Sequence, residues 1–391
     1  MGQTGAPNNK SQLCAPALRV TPARVGPAQA ADPVADPAQQ AADPSAPPLG
    51  APPSNPRWAR QDAPVVAPMP AAWSAGHALA MLGLSTAAAL AASYMLSPVW
   101  LLELQHVAAL ALFAVATNLL VGYGGLVSFG QAAYYGLGAY TIALAWLHFK
   151  APFWPAFIAT PLVGALSAFM VGLVALRTRK LYFALLTLAF AQLFYTVAQQ
   201  QYELTNGATG IFGVGVPAAL MDPQIGFLFV FAAAALAMLA LWKITVSPFG
   251  LTLRAIRENR ARAQSLGIDV FRHELLAFVL AGAFSALAGG LFIVHDQSAY
   301  PELLDWTKSG EPIFMLVLGG MNSFLGPALG ALVYQISHEV IVQHLRDWQL
   351  VLGLVVLAIV LFMPDGIVGL FSAERWRRWL ARPRSVGGGE T

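Results

Sequence analysis

The chain has 391 residues, of which 57% are apolar and only 10% charged, and its mean hydropathy is +0.60. Soluble domains carry roughly 25% charged residues, so this composition excludes a soluble globular protein and indicates a polytopic membrane protein. The net charge is +3, but the arginines lie between apolar stretches, where they set membrane topology rather than bind nucleic acid. The single cysteine, Cys14, excludes a disulfide framework, a cysteine zinc cluster and a paired redox motif.

Residues 1–73 form a segment rich in proline and alanine, and 15 of the 27 prolines precede Ala71. Such a composition cannot bury enough apolar surface to offset its ordering entropy, so we predict a disordered N-terminal tail. The tail lacks the apolar core, flanked by positive charge, that marks a signal peptide. The alternative is that translation starts downstream, at Met69 or Met81, and that the tail is never made.

From residue 74 onward, apolar blocks of about twenty residues have the length of helix that crosses a bilayer. They predict an all-α fold, a polytopic helical bundle of about eight spans plus a re-entrant broken segment. The predicted membrane domain covers residues 74–372, and a basic tail follows at 373–391. The predicted spans are 75–96, 99–119, 126–146, 155–176, 181–201, 225–244, 274–294 and 349–370, with the broken segment at 311–342.

Positive charge predicts the orientation of these spans. The arginine-rich segments are 177–180, 247–273 and 373–391, and all three should be cytoplasmic, as should both chain termini. The connections 202–224 and 295–310 hold one lysine between them, so they should face outward. With this pattern, the basic tail stays inside only if segment 311–342 enters and leaves on the same side.

Two of the apolar segments contain similar glycine-rich breaks, each with Gly-Gly, two residues, Ser-Phe and then a further glycine. Glycine-interrupted spans in corresponding halves of a transporter point to a substrate path near the midplane. The alternative is that small residues merely let helices pack closely. The candidate path residues are Asn118, Gly122, Tyr123, Gly124, Gly125, Ser128 and Gln131 at the first break, and Gly319, Gly320, Asn322, Ser323, Gly326 and Pro327 at the second.

Motifs for catalysis are missing from the sequence. It has no phosphate-binding loop, no His-Glu-x-x-His and no Gly-x-Ser-x-Gly, so we expect no catalytic residue, no metal site and no cofactor in this chain. Glu103 is the only acidic residue well inside a predicted span, which argues against an ion-coupled relay. Residues 251–266 contain neither proline nor glycine and predict one short amphipathic helix in the 247–273 loop. The alternative for this loop is a solvated segment that only sets topology.

Four stretches resemble the permease subunits of ATP-binding-cassette importers for branched-chain amino acids, the LivM type. They are Asn118–Tyr140, Arg254–Ile268, Gly319–Ala331 and Met363–Gly366, within a resemblance that covers residues 75–372. The resemblance implies a translocation path for branched-chain or other hydrophobic amino acids in a bacterial-type inner membrane. It also implies three kinds of partner: a LivH-type second permease, two cytoplasmic ATPase subunits that hold ATP and Mg, and an extracytoplasmic substrate-binding protein.

The resemblance further implies that the 247–273 loop carries a coupling helix that docks on an ATPase. The expected contact residues are Arg254, Arg257, Glu258, Asn259, Arg260, Arg262, Ala263 and Gly267, with Gly267 ending the helix. Where the family would place glutamate and alanine, this chain has Arg260 and Arg262, which predicts a more basic surface. The partner would then present a more acidic groove, or tolerate the arginines at its rim.

Other functions stay open on the sequence. A urea or short-amide permease of the same family would carry a different ligand by the same mechanism. A stand-alone facilitator or secondary carrier belongs to a different class and would need ion-binding carboxylates inside its spans. A membrane scaffold would need no paired glycine breaks.

Overall fold

The computed structural model describes residues 93–178 and 181–344, together with residues 350, 353–354 and 366–367. The predicted tails at 1–73 and 373–391 lie outside the described residues. The predicted span 75–96 also lies outside them up to residue 92, and the span 349–370 does so apart from the five isolated positions just given.

The described residues are almost entirely helical. The α-helices are α1 (Pro98–Asn118, continued by a π-helical turn over Leu119–Tyr123), α2 (Gln131–Phe149), α3 (Phe153–Ala175), α4 (Leu181–Gln200), α5 (Tyr202–Thr205), α6 (Ala218–Met221), α7 (Pro223–Val246), α8 (Pro248–Glu258), α9 (Arg260–Ser265), α10 (Val270–Asp296), α11 (Trp306–Gly319) and α12 (Gly326–His344). Short 3₁₀ turns lie at Gly207–Thr209 and Pro301–Leu304. Two strands, β1 (Ile211–Phe212) and β2 (Ser298–Ala299), pair antiparallel, with Ile211 opposite Ala299.

Five helices in the described part are long and apolar enough to cross a membrane, namely Pro98–Tyr123, α3, α4, α7 and α10. They confirm the predicted all-α, multi-pass architecture. The predicted span 126–146 is wrong at its start, because α2 begins only at Gln131. Gly125 has a φ of 66°, in the left-handed region that favours glycine, and so the helix cannot run through the break.

Helix α10 lies at the centre of the bundle, packed against α1, α2 and α3. Small residues allow this close approach, because a Cβ at Gly138 of α2 would overlap the carbonyl oxygen of Ala286, and one at Gly289 would overlap that of Tyr135. Helices in lipid associate through such van der Waals contact, since lipid tails are as apolar as leucine. Helices α3, α4 and α7 turn large apolar side chains outward, as a lipid-facing surface requires.

Helix α10 also defines two ends of the bundle. It begins at Val270, within the last residues of the 247–273 loop, at the end that we call the loop end, and it finishes beside β2 at the opposite end. Asp269 starts α10 by accepting a hydrogen bond from the backbone N–H of Arg272 at 3.1 Å.

Helices α11 and α12 form an antiparallel hairpin whose tip lies at residues 320–325, which confirms the predicted break in segment 311–342. The two backbones nearly touch, because a Cβ at Gly330 would overlap the carbonyl oxygen of Met315. Met315 and Leu316 pack with Tyr334 of the second arm and with Leu110 of α1. The entry of this hairpin into the bilayer from one side stays a prediction.

Replacing Gly330 with alanine should destabilise the hairpin, because the new methyl group has no room beside Met315. We expect Gly330→Ala to lower the apparent Tm of the purified protein in detergent by about 3–6 °C, as overpacking of a core does. Gly310→Ala is the matched control, because a Cβ there meets only Phe314, at 3.9 Å. Equal Tm values for the two variants would contradict the close packing.

Candidate functional site

The loop between α7 and α10 folds into two short helices rather than the single helix predicted over 251–266. The backbone is extended at Asn259, with φ −153° and ψ 96°. The Asn259 side chain accepts a hydrogen bond from the backbone N–H of Arg262 at 2.9 Å. Asparagine is a strong helix N-cap, so it starts α9 and thereby interrupts the helix begun at Pro248. The prediction overlooked this capping signal.

Gly267 ends α9, as predicted. Its φ is 82°, the backbone N–H of Gly267 donates to the carbonyl of Gln264 at 3.0 Å, and that of Ile268 donates to Ala263 at 3.2 Å. These two hydrogen bonds form a Schellman motif, which needs a left-handed residue at this position. Gly267 therefore fixes the direction in which the chain turns back toward α10.

Two arginines of α8 contact the first glycine break. The Arg254 guanidinium lies 4.5 Å from the centre of the Tyr123 ring, within cation–π range. The Arg257 Nη1 donates a hydrogen bond to the carbonyl oxygen of Gly122, and a Cβ at Gly125 would lie 2.8 Å from the Arg257 Cγ. The stem of Arg257 thus occupies the space where any other residue at 125 would hold its side chain.

The remaining predicted contact residues of the loop divide between its surface and its interior. Glu258, Asn259, Arg262 and Gly267 are exposed. Ala263 is only 2% exposed and packs with Ile256 and Val270 beneath that surface. Arg260 Nη1 lies 2.7 Å from Oε1 of Glu274, whose side chain is 3% exposed. Much of the positive charge of Arg260 is therefore balanced by a buried carboxylate. The outward basic surface is therefore smaller than the sequence suggested.

The first break is held by polar contacts to three neighbouring helices. The backbone N–H of Phe129 donates to the Thr187 hydroxyl of α4 at 3.3 Å, and that of Ala132 donates to the Ser309 hydroxyl of α11 at 3.0 Å. The Oε1 of buried Gln131 accepts from the Ser285 hydroxyl of α10 at 3.3 Å. Ser128 makes a hydrogen bond within the break itself, because its hydroxyl accepts from the backbone N–H of Gly130 at 3.3 Å.

The structure brings the two glycine breaks together. The Asn118 Nδ2 donates to the carbonyl oxygen of Ser323 at 3.4 Å, and a Cβ at Gly122 would lie 2.9 Å from the carbonyl oxygen of Met321. At the hairpin tip a Cβ on Gly326 would overlap the carbonyl of Gly320. We call the contact of Asn118–Gly125 with residues 319–326 the break junction.

The other candidate path residues lie around the break junction. Gly124 continues the first break after Tyr123, Gly319 is the last residue of α11, and Pro327 is buried at the start of α12. Asn322 is exposed at the tip, away from the polar contacts. Gly366, with a φ of 68°, also reaches the tip, since its Cβ would lie 2.5 Å from the Gly320 nitrogen.

Two buried polar atoms at the breaks, Asn118 Oδ1 and Gln131 Nε2, make no hydrogen bond to the protein. Buried polar groups are nearly always paired, so these two atoms are available to water or to a passing polar solute. The described residues contain no group of three or more His, Cys, Asp or Glu side chains placed to hold a metal ion.

Sequence reasoning missed several residues that complete this site. Thr187, Ser285 and Ser309 hold the first break from other helices, and no spacing along the chain connects them to it. The position of Glu274 could have indicated its ion pair, because an acidic residue in the first turns of a long apolar helix needs a partner. Tyr123 was predicted at the path, but its contact with Arg254 was not.

A multi-pass helical bundle, in which a broken helix pair is joined to a basic loop, is an arrangement that suits a membrane transport permease. The chain belongs to the family of permease components of branched-chain amino acid transport systems, whose model matches residues 101–361. No solved structure matches the chain significantly.

Curated relatives include both kinds of permease of such systems. The chain is 26% identical over 284 residues to the high-affinity branched-chain amino acid transport system permease protein LivM of Salmonella typhimurium, covering 66% of this chain and 67% of the relative. The LivM protein of Escherichia coli gives the same values. The LivH protein of Escherichia coli is 26% identical over 294 residues, covering 68% of this chain and 92% of the relative.

The contact between α8 and the first break can be tested with two glycines of equal backbone strain. Gly125 and Gly213 both have a φ of 66°, but a Cβ at Gly213 meets nothing within 4 Å. Alanine at either position bears a left-handed cost of about 1–2 kcal/mol, whereas only Gly125→Ala also displaces Arg257. We expect the lower Tm for Gly125→Ala in a thermal melt, and equal melts would rule out the contact.

Proposed function

We propose that this chain is the LivM-type transmembrane subunit of an ATP-binding-cassette importer for branched-chain or other hydrophobic amino acids. The observation that carries the proposal is the direct contact of Arg254 and Arg257 on α8 with the break junction. A loop that only set topology would need no such contact. Family membership and the LivM and LivH relatives support the same reading.

The partners follow from this assignment. A LivH-type permease would complete the membrane core, two cytoplasmic ATPase subunits would bind ATP and Mg, and an extracytoplasmic binding protein would deliver the substrate. The exposed residues Glu258, Arg262 and Leu266, the last 74% exposed, form the surface of the loop that would dock on an ATPase. Ala263 would support this surface from below.

In the proposed mechanism, ATP binding closes the ATPase pair and displaces α8. The hydrogen bond from Arg257 to Gly122 passes the displacement to the first break, and the Asn118 contact with Ser323 passes it to the hairpin tip. A hairpin arm has few ways to deform when backbones touch, so the tip moves as a unit. The path would open and close around the neutral groups of Asn118 and Gln131.

The membrane orientation rests on charge. The loop end carries Arg254, Arg257 and Arg262, so it would face the cytoplasm of a bacterial-type inner membrane, with both chain termini on that side. The polar groups at the breaks are uncharged amides, hydroxyls and carbonyls, which suits weak transient contact with a zwitterion. Substrate selection would then reside mainly in the binding protein.

The test is uptake of labelled leucine by liposomes that hold this chain with its LivH-type partner, the ATPases and the binding protein. We expect uptake that requires both ATP and the binding protein. ATP-dependent urea uptake without leucine uptake would keep the mechanism and change the ligand. Movement of leucine by this chain alone would overturn the proposal in favour of a facilitator.

Two substitutions in the loop sharpen this test. Glu258→Arg reverses an exposed charge on the proposed docking surface, and we expect uptake to fall about tenfold, a typical size for coupling between sites. Glu203→Arg is the matched reversal at the opposite end of the bundle and should keep uptake within about twofold. Uptake at the wild-type rate by Glu258→Arg, in complexes that still assemble, would contradict docking at the loop.

Gly267→Pro should abolish uptake, because proline fixes φ near −65° and cannot adopt the φ of 82° that ends α9. Gly267→Asn is the control, since asparagine tolerates left-handed backbone and should retain most of the uptake. Uptake by both variants at the wild-type rate would show that the turn at Gly267 is not needed.

A further inference from the structure

The loop is attached to the bundle at two separate places. Helix α8 contacts both the first break and the start of α10, and α9 contacts α10 through Arg260 and Glu274. Asn259 is extended between the two helices, so no continuous helical hydrogen bonding connects them. Movement imposed on α9 therefore needs its own connection to the bundle.

Arg260 is the first residue of α9, and Glu274 lies in the first turns of α10. Their Nη1 and Oε1 atoms are 2.7 Å apart, and the side chains are 29% and 3% exposed. A charge-assisted hydrogen bond of this length is short and directional, and the buried carboxylate cannot turn to water instead. Ala263 also packs on Val270 near this ion pair. That apolar contact adds buried area, but it does not fix the relative orientation of the two helices as a hydrogen bond does.

Helix α10 is the member of the bundle that contacts α1, α2 and α3. A displacement of its loop end would reach these helices, because its close backbone contacts with α2 and α3 leave little room for sliding. We propose that the Arg260–Glu274 pair is a positioning pair that makes α9 move with α10 during transport. This inference rests on the proposed function, since it requires the loop to dock on an ATPase.

The same helix start offers an exposed pair for comparison. Arg272 Nε lies 2.9 Å from Asp269 Oδ2, and these side chains are 84% and 49% exposed. Exposed pairs of this kind contribute little to stability and are screened by salt. If any ion pair near the start of α10 sufficed, both pairs would matter equally. The proposal assigns the role to the buried pair alone.

The experiment measures leucine uptake and ATP hydrolysis in the same liposomes and compares uptake per ATP hydrolysed. R260E and E274R each place like charges together, and the double variant R260E/E274R restores the pair in the opposite sense. We expect each single variant to lose about tenfold in uptake per ATP, and the double variant to return within about threefold of wild type. The control R272M should stay within about twofold of wild type.

The variant R260M/E274M separates transmission from folding. Methionines of similar volume replace a buried ion pair without leaving a lone charge, so the complex should assemble and melt like wild type. We expect it nonetheless to lose uptake per ATP to the same extent as the single reversals. A wild-type ratio in R260M/E274M, or a double reversal no better than the singles, would overturn the inference.

The proposed function fails in a different way. If the wild-type complex takes up no substrate with ATP and binding protein present, the importer assignment is wrong whatever the pair does. If the wild type transports and R260M/E274M transports equally well per ATP, the importer assignment stands and only the positioning role is lost. If the single reversals fail to assemble, R260M/E274M and the double reversal decide the question.

Discussion

The structure depends on one steric condition, which is that the glycines of the first break add no side chain of their own at the break junction. Gly122 leaves room for the carbonyl of Met321, and Gly125 leaves room for the stem of Arg257. Three parts of the chain that are far apart in sequence meet there through carbonyl oxygens, one amide and one guanidinium. Arg257 and Asn118 thus join the loop to the hairpin tip through the first break, and they do so through hydrogen bonds to carbonyl oxygens.

A second set of contacts makes the bundle respond as a whole. Helix α10 contacts α1, α2 and α3, and at α2 and α3 small residues replace side-chain packing with backbone packing. Such interfaces shift between discrete arrangements rather than deform smoothly. The loop contacts both systems, because α8 reaches the first break and the start of α10, and α9 reaches α10.

Much of this could be predicted from the sequence. Hydrophobic length gave the spans now observed as α3, α4, α7 and α10, and the glycine pattern gave both breaks and the end of α9 at Gly267. Local rules missed the division of the loop at Asn259, because capping competed with helix propensity there. They could not find Thr187, Ser309 or the partner of Arg260, since these contacts join residues from 14 to 177 positions apart. Roles of residues in transport depend on partners that lie beyond any single chain.

The tip of the hairpin shows how such a site constrains change over evolutionary time. Gly326 and Gly366 both crowd the backbone atoms of Gly319 and Gly320, and Gly319 in turn crowds the backbone of Gly326. Effects of substitutions that share partners do not add, because the first one already shifts the atoms that the second would meet. These positions therefore cannot drift independently. A substitution of one of these glycines by a larger residue must change the backbone of the turn. Which substitutions the other positions then tolerate depends on that first change.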